Sequence, residues 1–338
     1  SNDDININKI TYKKSSSLID KVFFTFSRRI LKKDYELRKV LRKNNIDVIF
    51  PSNLSLGKGV GAINWMPDFQ FMHLPELYTE YQLKSMSKKL HNYFESVSII
   101  ILSSHDARKD FKVFSPKFLH KTRVMNFVAH VPENLYELDF NRISIKYNLP
   151  KDFIYLPNQF WKHKNHLMVF EALKILKDEG IKPFIVCTGN PSDKRRPLYF
   201  AEILETISLL GIREQVIFLG LIPHNDLYSL IRQSKCVLNP SHFEGWSTTV
   251  EESKSVGKGM ILSDLNVHKE QSPASSFFFD RYDKEDLAKK IKEVWKNVPP
   301  GPDHELEKLA REKLPWRMKE FASQFIEIAK ESMDASNT

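Results

Sequence analysis

The chain alternates short runs of apolar residues with longer segments in which apolar positions recur every three or four residues. The short runs predict strands over residues 47–52, 97–104, 123–128, 153–158, 183–189, 215–220, 235–241 and 259–264. Helical periodicity fills most of the intervals between them, and several helical segments end in glycine, as is typical of helix C-termini. Strand–helix–strand alternation of this kind favours parallel sheets covered by helices on both faces.

The pattern breaks once, near residues 135–150, where turn-forming residues occur without a clear strand. A new strand–helix series follows, and we therefore predict two doubly wound, Rossmann-like α/β lobes, over residues 1–135 and 136–314. The last amphipathic segment, residues 315–338, is expected to return and cover the first lobe. Ligands of open α/β sheets bind at the carboxyl ends of strands, so the cleft between the lobes is the expected site.

The charge composition favours certain classes of binding partner but does not identify one of them. The 338 residues include 51 Lys and Arg against 42 Asp and Glu, a formal net charge of +9. This excess favours partners with negative charge, which include nucleotides, nucleic acid and an anionic membrane face. Residues 28–43 are especially basic and amphipathic, which predicts either contact with a membrane surface or an ordinary solvated helix face.

Several protein classes find no support in the sequence. Cys187 and Cys236 both lie in apolar runs and are predicted to be buried free thiols, as in a reducing cytoplasm. No run reaches the roughly 20 apolar residues that span a bilayer, and the polar first residues lack the apolar core of a signal peptide. Motifs for P-loop phosphoryl transfer, α/β-hydrolases and metal-dependent sugar–nucleotide binding are missing. We therefore expect neither a metal nor a cofactor.

Two acidic residues flank the start of a predicted helix in the segment HFEGWSTTVEES, residues 242–253. Glu244 lies in the loop before the helix and Glu252 lies one turn into it, whereas Glu251 has capping-box spacing from Thr248. The helix start offers unpaired amides and a partial positive charge, which suit a diphosphate. Carboxylates repel phosphate, so the two glutamates would hold sugar hydroxyls on either side of it. Two solvated glutamates are the alternative on spacing alone.

Other polar residues of the second lobe directly follow predicted strands. Lys162 and Lys164 lie at a strand-to-helix junction, where they either suit phosphate oxygens or are ordinary loop lysines. Gly189 and Asn190 follow the next strand. A glycine there permits the close approach of a ligand or simply forms the turn.

The first lobe contributes one polar cluster, in the segment GAINWMPDFQFMHLPELY, residues 61–78. Asp68 and His73 lie there among aromatic residues and prolines. The combination suits a pocket for a sugar or another acceptor, and a packed proline-rich loop is the alternative.

Together these segments resemble the signature of retaining glycosyltransferases of family 4, which have the GT-B fold. The Glu-x7-Glu motif of that family is matched by Glu244 and Glu252. FIYLPNQFWKHKNH is similar to the first strand and phosphate-binding loop of the family's second lobe. WMPDFQFMHLPELY is similar to the acceptor-side loop of bacterial surface-polysaccharide members.

The resemblance implies roles for individual residues. Glu252 would bond the ribose hydroxyls, Glu244 would face the donor sugar near C1, and Lys164 would bind phosphate. Asp68 and His73 would complete the catalytic set. Further donor contacts would come from Gln159, Lys162, Gly189, Asn190, Gly245, Trp246, Ser247, Thr248 and Thr249, and contacts to the base from Leu219 and Leu221.

Three features depart from the family pattern. The family's arginine five residues before the phosphate lysine is replaced by Gln159, which makes Lys162 a candidate for the missing cation. The first-lobe histidine aligns with Pro67, which makes His73 a candidate stand-in. The chain also opens with a polar segment in place of a strand and a Gly-rich loop, so the first lobe is expected to lack its first strand.

The resemblance implies a metal-independent retaining hexosyltransferase that uses a nucleotide-diphosphate sugar and extends a glycan or lipid-linked oligosaccharide in O-antigen or capsule synthesis. Such an enzyme would be cytoplasmic, would associate peripherally with the anionic inner membrane through residues 28–43, and would bind no nucleic acid. Two alternatives stay open. One is a nucleotide-sugar epimerase on the same fold, and the other is a non-catalytic protein that binds glycan or nucleic acid.

Overall fold

The computed structural model describes residues 34–271 and 273–337, which form two parallel sheets. The first sheet has the order β1-β2-β3-β4, with β1 Val48–Ile49, β2 Gly61–Met66, β3 Ile99–Leu102 and β4 Thr122–Val124. The second has the order β10-β9-β8-β5-β6-β7, with β5 Ile154–Leu156, β6 Ile185–Cys187, β7 Val216–Phe218, β8 Val237–Asn239, β9 Met260–Ser263 and β10 Ser276–Phe279.

Helices connect these strands and pack on the sheets. Those of the first lobe are α1 Tyr35–Lys43, α2 Gln70–His73, α3 Glu80–Ser96 and α4 His105–Phe114. The second lobe has α5 Phe140–Tyr147, α6 His166–Asp178, α7 Tyr199–Leu209, α8 His224–Gln233, α9 Thr248–Val256, α10 Asn266–Glu270 and α11 Lys284–Asn297, and the chain then continues into α12, His304–Asn337. Short 3-10 helices span Pro75–Leu77, Pro116–Lys121, Glu133–Glu137, Lys162–Lys164 and Arg213–Gln215.

Alternate residues of the strands face opposite sides of each sheet and so build two cores per lobe. In β5, Ile154 and Leu156 pack with α6, α7 and α11, whereas Tyr155 packs with α8 and α9. In β2, Ala62 packs with α3 and α4, whereas Ile63 packs with α12. Both sheets are therefore covered on both faces, and the predicted α/β fold of two Rossmann-like lobes is confirmed.

The strand order of the second lobe creates a binding crevice. Counted from β5, the strands follow the order 3-2-1-4-5-6 across the sheet, which is that of a dinucleotide-binding domain. The order reverses between β5 and β8, so the loops after these two strands diverge toward opposite faces of the sheet. Ligands of open α/β sheets bind at such a reversal point.

Two strands are not predicted by the sequence pattern. The pattern places residues 61–66, GAINWM, in a loop, but they form β2 at the centre of the first sheet, with only Trp65 exposed. Glycine and asparagine are poor strand formers, and burial between two layers of helices outweighs their low propensity. The edge strand β10 is four residues long and has no alternating pattern to mark it.

The last helix is longer than its amphipathic pattern predicts. It begins at His304 rather than at Pro315, which lies inside it. Proline lacks one backbone donor, and packing on both sides of that position holds the helix together. Leu314 packs on the second lobe, whereas Phe325 and Ile328 pack on the first. The lobe boundary near residue 135 stays a prediction.

The structure also bears on three general expectations. Cys187 and Cys236 are buried free thiols, as predicted. The structure describes the basic segment 28–43 only from residue 34 onward, and α1 begins at Tyr35. The polar residues that open the chain lie outside the described residues. Within the described ranges, no helix is both long enough and apolar enough to cross a membrane.

Candidate active site in the cleft

A cleft of about 650 Å³ lies between the two lobes. Its first-lobe wall is formed by residues that end or follow β2 and β3, including Trp65, Asp68 and Ser103. Its second-lobe wall is formed by the loops after β5, β6 and β8. The cleft therefore lies at the carboxyl ends of both sheets, where the sequence places it.

A buried ion pair lines the second-lobe wall. Lys164 Nζ donates to Glu244 Oε1 at 2.6 Å, and the Ser241 hydroxyl donates to the same oxygen at 2.7 Å. The two charged side chains are only 14% and 9% exposed. Burial acts to raise the pKa of Glu244, but the charge of Lys164 and the hydrogen bonds from Lys164 and Ser241 act together against it, and the pKa lies at about 2. The structure thus pairs the residues predicted to bind phosphate and donor sugar.

A network of buried amides and hydroxyls fixes the loops that carry this pair. Asn158, which follows β5, donates to Asn239 Oδ1 at 3.2 Å, and Asn239 donates to Ser247 Oγ at 2.8 Å. The Thr249 hydroxyl donates back to Asn158 Oδ1 at 3.2 Å. These bonds join the loops after β5 and β8 to the start of α9. Sequence reasoning missed both asparagines, although each lies where an apolar strand ends.

The N-terminus of α9 differs from the predicted capping box. Ser247 is the N-cap, and its hydroxyl accepts from Val250 N. Its own backbone N–H donates to Gln271 Oε1 at 3.2 Å. Thr248 is exposed and lines the cleft, whereas Glu251 is fully buried and forms ion pairs with Lys254 and Arg317. Glu251 therefore anchors the helix rather than capping it.

Gly245 and Trp246 join the two lobes. Gly245 packs so closely on the first lobe that a Cβ atom there would lie 2.6 Å from the Pro67 carbonyl oxygen. The indole N–H of Trp246 donates to the Phe127 carbonyl at 3.0 Å. Both residues line the cleft, and their donor-binding role stays a prediction.

Glu252 lies on α9, outside the residues that line the cleft, and its side chain is isolated. It is partly buried and has no hydrogen bond or ion pair with any residue that the structure describes. Burial raises its pKa to about 7. The hydroxyls of Tyr155 and Tyr228 lie near it, and its charge acts together with their burial to raise the pKa of both. An acceptor of this kind can bond hydroxyl groups that a ligand brings.

Of the two candidate catalytic residues in the first lobe, Asp68 lies in the cleft and His73 lies outside it. Asp68 lines the cleft, its Oδ1 accepts from Gln70 N at 2.9 Å, and burial raises its pKa. His73 does not line the cleft; its Nε2 lies 2.8 Å from Asp110 Oδ2, and this hydrogen bond raises the pKa of His73. The His73 ring packs on Phe243, with centroids 5.0 Å apart.

Of the other residues predicted to contact the donor, some bond a neighbouring loop of the protein and one lies on the surface. Gln159 Oε1 accepts from Asn190 N at 2.7 Å, and a Cβ on Gly189 would lie 2.4 Å from the Asn158 carbonyl oxygen. This glycine is therefore explained by the contact between the loops after β5 and β6. Lys162 is exposed and does not line the cleft.

The two residues predicted to contact the base also lie outside the cleft wall. Leu221 is 70% exposed, and Leu219 packs against the second-lobe core. Their role stays a prediction. Across the described residues, no group of three or more His, Cys, Asp or Glu side chains is placed to hold a metal ion.

The cleft also contains a cation that sequence reasoning missed. Arg195 lies in the loop after β6 and lines the cleft together with Asp193 and Lys194. Its Nη1 donates to Gln70 Oε1 in the first lobe at 2.7 Å. The signal was the polar run PSDKRR, residues 191–196, which begins four positions after the end of an apolar strand.

Comparison with known proteins agrees with this architecture. The chain is 24% identical over 200 residues to the serotype-specific mannosyltransferase WbdA of Escherichia coli, an overlap of 57% of this chain and 24% of WbdA. It therefore spans about a quarter of the length of the curated relatives it matches.

Two solved structures share the fold. A glycosyltransferase from Rickettsia africae superposes with a TM-score of 0.66 at 17% identity, covering 97% of this chain and 84% of that one. Anabaena Alr3699/HepE, in complex with UDP and glucose, superposes at 0.61 with 14% identity, covering 79% and 72%. The fold is GT-B. The family model "Glycosyl transferases group 1" matches residues 139–313, about half of the chain, and the chain belongs to this family.

Proposed function

We propose that the protein is a retaining, metal-independent glycosyltransferase of family 4 that moves a hexose from a nucleotide-diphosphate sugar to a glycan or lipid-linked glycan. The observation that carries the proposal is the placement of two different acids around the start of α9. Glu244 is paired with Lys164 in the cleft, whereas Glu252 has no protein partner among the described residues. The first arrangement suits a sugar diphosphate, and the second suits a ribose.

Two likenesses support the choice of substrates. Alr3699/HepE has been solved in complex with UDP and with UDP-glucose, which supports a nucleotide-sugar donor here. WbdA is a serotype-specific mannosyltransferase, which supports transfer of a hexose and a role in surface-polysaccharide synthesis.

The proposed reaction breaks the bond between the sugar C1 and the diphosphate oxygen. Negative charge develops on the departing diphosphate, and Lys164 and the amides at the start of α9 stabilise it. The acceptor hydroxyl attacks C1 from the same face and forms the new glycosidic bond, while its proton passes to the leaving phosphate oxygen. Because the acceptor attacks C1 directly, no protein nucleophile is needed. Glu244 orients Lys164 and the donor sugar.

A calorimetric panel with Glu252→Gln tests the donor site. We expect the wild type, without added metal, to bind one of UDP, GDP, dTDP, ADP and CMP well above the others. Glu252→Gln should lose about tenfold or more of that affinity, because hydrogen bonds to a charged acceptor are worth about 1.5–3 kcal/mol. Wild-type affinity should also fall as the pH drops below about 7, where Glu252 takes up a proton.

The glutamine variant controls for the titration of the nucleotide itself, since it keeps that titration and lacks the carboxylate. Glu205→Gln, an exposed change on α7, is the matched control and should bind as the wild type does. Equal affinities of the wild type and Glu252→Gln would contradict the ribose assignment. If the wild type binds no nucleotide, the proposed function itself is wrong.

We also propose that residues 28–43 hold the enzyme at the anionic inner membrane, where a lipid-linked acceptor is presented. Each basic residue near such a surface contributes about 1 kcal/mol. Replacement of Arg28, Arg29, Lys32 and Lys33 by glutamine should therefore weaken binding to vesicles that contain anionic lipid, measured by sedimentation. The wild type should show little binding to neutral vesicles. Unchanged binding of the variant to anionic vesicles would refute the proposal.

A further inference from the structure

We propose that Arg195 supplies the second cation for the donor diphosphate. This inference rests on the proposed function and concerns the position at which Gln159 stands in place of an arginine. Arg195 lies in the loop between β6 and α7. This loop is separate from the Glu-x7-Glu segment and from the loop that carries Lys164.

The guanidinium of Arg195 is positioned at the wall of the cleft. Its side chain is 27% exposed, and the guanidinium carbon lies 5.8 Å from the ring centroid of Trp161, which also lines the cleft. Nη1 bonds Gln70, and Nε lies 3.4 Å from Asp193 Oδ1. The Tyr78 hydroxyl also forms a hydrogen bond with the guanidinium, so three side chains engage a group that has five N–H donors. Donors are therefore left for a ligand.

The loop that carries Arg195 is hydrogen-bonded to Gln159, the residue that stands where the resembled family has an arginine. Asn190 N donates to Gln159 Oε1 at 2.7 Å, and Phe160 N donates to the Asn190 carbonyl at 3.2 Å. The close approach at Gly189 brings the two backbones together. Gln159 thus binds the neighbouring loop, and that loop brings a guanidinium into the cleft.

The charges of the cleft explain why a second cation is needed. Three carboxylates line it, those of Asp68, Asp193 and Glu244. Glu244 already pairs with Lys164, so a diphosphate that reached this lysine alone would meet a local excess of negative charge. His163 also lines the cleft but is neutral, because burial lowers its pKa to about 3.

Two other residues compete for this role. Lys162 is exposed and lies outside the cleft wall, and Lys194 is exposed and presents a single charged group. A guanidinium has a planar fork of donors that matches phosphate oxygens, and it loses less hydration than an ammonium when it binds them. Arg195 is therefore the better diphosphate ligand.

The test compares Arg195→Gln with Arg196→Gln. Arg196 is the adjacent arginine, is exposed and does not line the cleft. Calorimetry would use the nucleoside diphosphate selected by the panel and the corresponding nucleoside. We expect Arg195→Gln to weaken diphosphate binding about tenfold or more, a loss of about 1.4 kcal/mol, and to leave nucleoside binding unchanged. Arg196→Gln should match the wild type, and Arg195→Lys should fall between.

The contact with Gln70 provides the second control. Gln70→Ala removes the bond between the lobes but keeps the charge of Arg195, so a purely structural role for the arginine would give both variants the same loss. That result, or wild-type affinity in Arg195→Gln, would overturn the inference while the wild type still binds the nucleotide. If the wild type itself binds no nucleoside diphosphate, the proposed function falls together with the inference.

Discussion

Replacement of Lys164 by methionine is expected to lower the rate of sugar transfer by a factor of about 10²–10³, the usual cost of removing one group that stabilises a developing oxyanion. Lys164 lines the cleft and is 14% exposed, so its charge is little screened by water. The loss should appear in kcat, because the charge on the leaving diphosphate develops only during the reaction. Initial rates would be measured with the donor class that the nucleotide panel identifies.

Lys162→Met is the matched control for this variant. Both lysines lie in the same 3-10 helix, but Lys162 is exposed and makes no part of the cleft wall. We expect its rate to stay within about a factor of two of the wild type, as is usual for a surface lysine without a buried partner. Equal losses in the two variants would show that general electrostatics, and not the Lys164–Glu244 pair, controls the rate.

Replacement of Arg317 by methionine is expected to lower the free energy of unfolding by about 3 kcal/mol, at the lower end of the range for a broken buried ion pair. Glu251 would keep its ion pair with Lys254 at 3.0 Å and its bond from Gln271 at 3.0 Å, but its second oxygen would lose its guanidinium partner. Urea denaturation monitored by circular dichroism would measure the change.

Lys319→Met serves as the control on the same helix. Lys319 is exposed, and its replacement should change stability by less than about 0.5 kcal/mol. A single Arg317→Met variant as stable as Lys319→Met would contradict the buried-pair interpretation.

The elements that could be predicted from sequence are those with a local signal. Strands such as β5 and β8 are short apolar runs, and Gly257 marks the end of α9 because its φ of +81° suits glycine. The pattern does not predict β2, because its burial depends on α12, which is more than 200 residues away in the chain. Local propensity contains no information about such a distant partner.

The same distinction applies to the site. The spacing of Glu244 and Glu252 identified the region, and Lys164 was placed by its position after a strand. Spacing alone could not show that one acid is paired and the other is not, since that depends on the side chains around each. Nor could it separate Asp68 from His73, five positions apart, of which only the first reaches the cleft.

Arg195 was missed for a related reason. The loop that holds it has no fixed spacing from any motif, and its importance comes from contacts with Gln70 in one lobe and, through Asn190, with Gln159 in the other. Contacts of this kind exist only once both lobes are folded.

The position of Pro315 in α12 has a mechanical consequence. The helix passes from the second lobe to the first near this residue, and the absent N–H of the proline leaves one carbonyl of the preceding turn without its helical partner, which softens the rod there. If the lobes rotate about each other during turnover, the bend is expected at this point. Arg317, two residues beyond it, is tied to Glu251 in α9. Rotation would then be transmitted through this ion pair to α9, whose N-terminus is proposed to bind the donor, so that α12 would couple movement of the lobes to the donor site.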